Sequence, residues 1–117
     1  MKFRKVVLER TGDVLATRMR TANNPFSRIV GLLLTATFDS GQALHLIPCN
    51  SIHSCMMRYT IDAVFLDKNR KIVHLSQGMK PWRFSPIVWK AHSVLELPSG
   101  TLKDSRLQIG DTLSFKD

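Results

Sequence analysis

The chain has 117 residues and a formal net charge of +8, with 44% apolar and 22% charged side chains. That length suits one hydrophobic core, so residues 1–117 are expected to form a single domain, and the ordinary apolar fraction excludes a disordered chain or a coiled coil. The positive excess is uneven: residues 1–30 carry seven basic and two acidic side chains, a net of +5, and the rest of the chain carries +3.

The N-terminus runs Met1-Lys2-Phe3-Arg4-Lys5, three apolar residues and then Glu9-Arg10. A secretory leader needs an apolar stretch of roughly 7–15 residues, so a cytoplasmic address is expected. Val6-Val7-Leu8 reads as a strand, Thr11-Gly12-Asp13 as a turn and Val14 to Met19 as the returning strand. In that strand Leu15, Thr17 and Met19 are expected on one face and Ala16, Arg18 and Arg20 on the other. Asn24 as a cap, Pro25 at the first helical position and Phe26, Ile29, Val30 and Leu33 at helical spacing point to one short helix near residues 25–35. Its six-residue apolar stretch, Ile29 to Leu34, is far short of the ~20 residues of a membrane span.

Ala43 to Ile47 reads as a buried strand ended by Pro48, and Ile52 to Met57 as another. Ile61 to Leu66, the Asp67-Lys68-Asn69-Arg70 turn and Lys71 to Leu75 form the strongest hairpin signal. Gly78 to Lys90, with Trp82 and Trp89, reads as a long loop. Ser93 to Leu97 and Thr112 to Phe115 are the last strands, with a turn at Pro98-Ser99-Gly100. Seven or more short strands with one helix give a mainly β fold, a jelly-roll-like sandwich or a barrel of short antiparallel strands.

Arg28 with Gly31-Leu32, Cys49-Asn50-Ser51-Ile52-His53 with Met57, Ile61 to Asp67, Leu95 to Gly100 and Ile109-Gly110-Asp111 occur in this order over residues 17 to 115. This ordered set resembles the family known as domain of unknown function 192. The resemblance implies a mainly β, jelly-roll-like sandwich with a short helix, and no agreed biochemical activity.

The densest chemical cluster is Cys49, His53, Cys55, Met56 and Met57, followed by Arg58 and Asp62. A turn at Asn50-Ser51 would return Cys49 towards His53, bringing thiolate, imidazole and thioether together as a soft set for zinc or cuprous copper. The Cys-x3-His-x-Cys spacing matches no usual structural zinc pattern, so the metal remains unknown, and packing of Cys and Met as hydrophobes is the competing reading. A Cys49–His53 nucleophile pair, the hydrolase reading, depends on the same turn. Without a leader the two cysteines are expected to be reduced. Asp62 and Glu96 interrupt apolar strands, so each is either a surface residue or a buried acid paired with Arg or backbone donors, and Arg28 is a candidate partner for either.

Lys80-Pro81-Trp82-Arg83-Phe84 and Trp89-Lys90 interleave aromatic and basic side chains, a pattern that stacks on bases while neutralising phosphates. The leading expectation is a non-enzymatic module for a small molecule or protein partner. Its ligand-binding residues would be Cys49, His53, Met57, Asp62, Arg28 and Trp82, with the Trp82–Trp89 loop as a cover and no cofactor. Second comes a basic surface that binds nucleic acid or anionic partners, and third a Cys/His-dependent hydrolase or soft-metal site.

Overall fold

A computed structural model describes residues 3–22, 39–54 and 59–117. The expected helix near 25–35, with Arg28, lies outside the described residues, as do Cys55, Met56, Met57 and Arg58. The elements are β1 (Arg4–Leu8), β2 (Val14–Ala22), β3 (Gln42–Leu46), β4 (Ile61–Leu66), β5 (Ile72–Met79), β6 (Ser93–Pro98), α1 (Thr101–Ser105) and β7 (Leu113–Lys116). The strands form one sheet in the order β5-β4-β6-β3-β2-β1-β7. The fold is mainly β, and the sheet curls into a half-barrel. Its two edges meet where Lys71 bridges Thr112 and Leu113 N–H donates to the Arg70 carbonyl. Neighbouring strands are antiparallel except β2 and β3, which run parallel from Arg18 opposite Gln42 to Ala22 opposite Leu46.

The sheet has a core on each side, which is why β4 is buried at every position. On the concave side lie Val6, Leu8, Met19, Val64, Leu66, Leu95, Leu97 and Phe115, with Leu102 of α1 and Leu107 closing one end. On the convex side lie Leu44, Leu46, Ile52, Ile61, Phe65 and Val94. A strand buried on both faces loses the polar alternation of a half-solvated one, and Ile61–Leu66 carries a single polar residue, Asp62.

The hairpin of β1 and β2 forms as expected, but its faces differ from strict alternation: Ala16 and Met19 are buried together. The register moves from Val6 opposite Ala16 to Arg4 opposite Met19, so β2 spends three residues where β1 spends two. Thr17 and Arg18 both donate their N–H groups to the Gly41 carbonyl at 2.9 Å, a bulge that resets which side chains point inward. The expected strand from Ile52 is represented among the described residues by one bridge, His53 opposite Phe84. Helix α1 has no counterpart in the sequence reading.

Candidate functional site

Two stretches cover the convex side, residues 47–54 and 80–92, and they are laced to each other. Trp82 N–H donates to the Ser54 carbonyl, Ser54 N–H to Arg83, Ser85 N–H to Ile52 and Val88 N–H to Asn50. The buried Ser54 hydroxyl donates to the Lys80 carbonyl at 2.6 Å and accepts from Arg83 N–H at 2.9 Å. The Ser85 hydroxyl accepts the Ile52 N–H at 2.9 Å. These bonds satisfy backbone polar groups and tie the segment from Lys80 to Lys90, the strap, to residues 50–54. Val88 packs on the convex core.

What the strap displays is apolar. Trp82 is 62% exposed, Phe84 77%, Ile87 55% and Trp89 81%. Lys80, Arg83 and Lys90 accompany them and are also exposed. Between Asp67 and Glu96 the sequence has six Lys and Arg and no acidic residue. Trp82 adopts a left-handed backbone conformation, φ 61°, which a bulky side chain occupies only at a cost. Trp82→Gly relieves that strain, which offsets the greater backbone freedom of glycine in the unfolded chain, and removes a side chain that is mostly exposed. The variant is therefore expected to keep the wild-type midpoint in thermal denaturation; a clearly lower midpoint would show that the indole supports the fold.

The expected site residues separate. The backbone bends at Asn50 and the Cys49 thiol donates to the Ser51 carbonyl at 3.0 Å. The histidine whose backbone meets Cys49 is nevertheless His92, not His53. Cys49 N–H donates to the His92 carbonyl at 2.9 Å, and the two residues line a cavity of about 240 Å³ with Pro48, Asn50 and Ala91. His53 is exposed and its ring lies 6.1 Å from that of Phe84, at an interplanar angle of 50°. Trp82 belongs to the strap, on the same convex side as Cys49 and His53. Asp62 does not join them. It points to the concave side at the α1 end, where its carboxylate accepts from Gly78 N–H (2.8 Å), Gly100 N–H (3.1 Å) and Leu102 N–H (2.9 Å). Its partners here are backbone amides, one of the two kinds of partner expected for a buried acid at this position, and Arg28 lies outside the described residues. Among the described residues no group of three His, Cys, Asp or Glu is arranged to hold a metal ion.

Two features escaped the sequence reading. Across the convex side Arg20, Leu44, Glu96 and Ala63 lie in one register row, with Glu96 fully buried. Nearby, burial first and the Glu96 carboxylate second push the Tyr59 phenol above its ordinary range, and Arg20 opposes them. Glu96 in an apolar strand was the available signal, but its row-mates emerge only from strand pairing. On the concave side His45 packs edge-on against Phe115 at 4.8 Å, a residue the sequence presents only as one polar position in a short apolar strand. A separate groove of about 780 Å³ at the α1 end is lined by Asp13, Asp39 and Asp104 together with Gly41 and Pro98.

Among the described residues no helix is long and apolar enough to cross a membrane. Solved structures with this fold include a protein of unknown function from Novosphingobium aromaticivorans, with a TM-score of 0.79 and 15% identity over 96% of this chain and 83% of that one. A Sinorhizobium meliloti protein proposed as a transcription regulator gives 0.79 and 19%, covering 98% of this chain and 96% of that one. At these identities the likeness establishes the fold alone. A UPF0127 protein of Thermococcus sibiricus is 31% identical over 110 residues, 90% of this chain and 70% of the relative. A UPF0127 protein of Pyrococcus furiosus is 28% identical over 109 residues, 89% and 91%. The model of the domain of unknown function 192 family (DUF192, uncharacterized ACR) matches residues 6–115, and the chain belongs to that family.

Proposed function

We propose that the chain is a non-enzymatic binding module and that the strap from Lys80 to Lys90, with His53, is its contact surface for an anionic partner. The observation that carries this is the display of Trp82, Phe84, Ile87 and Trp89 in water on a backbone fixed by hydrogen bonds. Isolated exposed apolar residues are ordinary, but a concentration of them rimmed by charge marks an interaction surface. The cations select the sign of the partner. At the Cys49 segment a small-molecule version of the reading has less support, because the cavity there, about 240 Å³, is below the ~300–1,000 Å³ of drug-sized sites.

Trp82 and Trp89 are the only tryptophans in the chain, so tryptophan emission reports on the strap alone. Titration with single-stranded oligonucleotide, polyglutamate and anionic vesicles is expected to give, with one of them, a blue shift and protection from acrylamide quenching. That response should weaken with salt. Unchanged emission with all three would remove the strap as a contact surface.

A further inference from the structure

Resting on the strap as the contact surface, we propose that its partner is the surface of an anionic lipid bilayer, bound peripherally and reversibly. Three observations separate this from the other anions. First, the displayed set mixes ring and aliphatic side chains. Ile87 is more than half exposed beside Trp89, and the neighbouring Pro86 is exposed too. Bases stack on planar groups, and an aliphatic side chain offers them no plane. The acyl boundary of a bilayer accepts aliphatic and aromatic side chains alike, while indoles settle at the headgroup level.

Second, the ring at Phe84 already has a neighbour, the tilted imidazole of His53 at 6.1 Å. Two rings tilted by 50° offer no pair of parallel planes to sandwich a nucleobase, while Phe84, mostly exposed, is free to enter an apolar layer. Third, the cations sit where headgroups would be. Lys80 and Lys90 stand at the two ends of the strap and Arg83 between them. Their aliphatic stems let the charges reach outward while the apolar residues sink. No carboxylate between Asp67 and Glu96 repels phosphate. An apolar patch alone or a basic patch alone binds bilayers weakly, and the combination supplies the two signals that retention needs.

The test uses the full chain with vesicles of phosphatidylglycerol and phosphatidylcholine in equal parts, and with phosphatidylcholine alone. Cosedimentation is expected with the first and not the second, together with a blue shift of tryptophan emission and its quenching by lipids brominated in the acyl chains. The Lys80→Gln/Arg83→Gln/Lys90→Gln variant should partition roughly a hundredfold more weakly. Ile87→Ser/Trp89→Ser should lose at least tenfold and the bromine quenching of the remaining indole. All these side chains are exposed, so both variants should keep the wild-type unfolding midpoint, which is measured alongside. Inert anionic vesicles overturn the proposal, as does retention that ignores both variants or binding without bromine quenching. If oligonucleotide or polyglutamate shifts the emission while vesicles do not, the lipid assignment fails and the strap stands. If nothing shifts it, both fail.

Discussion

Asp62→Ala is expected to lower stability by about 4 kcal/mol and the thermal midpoint by roughly 15 °C, the largest effect of any single side chain considered. The size follows from what the carboxylate does. Between Ile61 opposite Met79 and Ala63 opposite Ser76, β5 spends one residue more than β4. This bulge takes Gly78 N–H out of the ladder, and Asp62 Oδ1 accepts it at 2.8 Å. Oδ2 accepts from Gly100 and Leu102 at the start of α1, where no side chain of α1 or of Gly100 provides a cap. One side chain thus fixes the β4–β5 register and pins the helix that closes the concave core through Leu102.

Removing it leaves three amides seeking acceptors, the Leu102 amide in a buried setting. Unmet buried donors cost more than a made bond gains. Asp62→Asn distinguishes this account from a loss of packing. The amide oxygen can serve the Gly100 and Leu102 pair, but its NH₂ then faces the Gly78 N–H, donor against donor. A loss of about 2 kcal/mol is therefore expected, with faster hydrogen exchange at Gly78 than at Leu102. Equal losses for Ala and Asn, or unchanged exchange at Gly78, would contradict the arrangement.

Asp62 shows how alike a ligand carboxylate and a structural one look in sequence. The sequence displays a carboxylate in an apolar run but not its acceptor duties, because its partners lie 16, 38 and 40 residues away. The strands themselves were legible where, as in β4 and β6, they are apolar runs bounded by turn residues, whereas β5 continues past the expected end at Leu75 through Ser76-Gln77-Gly78 to Met79. Periodicity misassigned the faces of β2 because a bulge adds one residue to a period of two. The five-residue α1 is too short for a helical period to appear. For the candidate site, composition singles out the segments Cys49 to His53 and Trp82 to Trp89, yet not their mutual placement. His92 reaches Cys49 only because the segment leading into β6 runs past Pro48. Composition shows which residue types are near one another along the chain, and strand pairing decides which share a side.

His45 makes stability depend on pH in a window where carboxylates with lowered pKa values do not act. Its ring is buried on the concave side, its Nε2 has no hydrogen-bond partner among the described residues, and Phe115 packs edge-on against it. Burial is the main reason that its pKa falls from 6.5 to about 4, and the charges of Arg70, Arg4 and His92 add to it. Arg4 is held there by Asp117 at 3.2 Å and by the Phe115 carbonyl at 2.8 Å, and Arg70 lies 4.3 Å above the Phe115 ring. As pH falls through 6.5 the unfolded chain takes up a proton that the folded chain refuses until about 4. The unfolded state binds more protons throughout that interval, so stability declines as pH falls and is unaffected by this residue above it. The full loss is roughly 3 kcal/mol. Asp111, whose pKa is held below 3.8 chiefly by its hydrogen bond with Arg10, acts under more acidic conditions and in both proteins alike. His45→Leu is therefore expected to flatten urea-unfolding stability between pH 6.5 and 4 relative to wild type, and to exceed it at the acid end of that interval. An identical decline in the variant would place the proton uptake elsewhere.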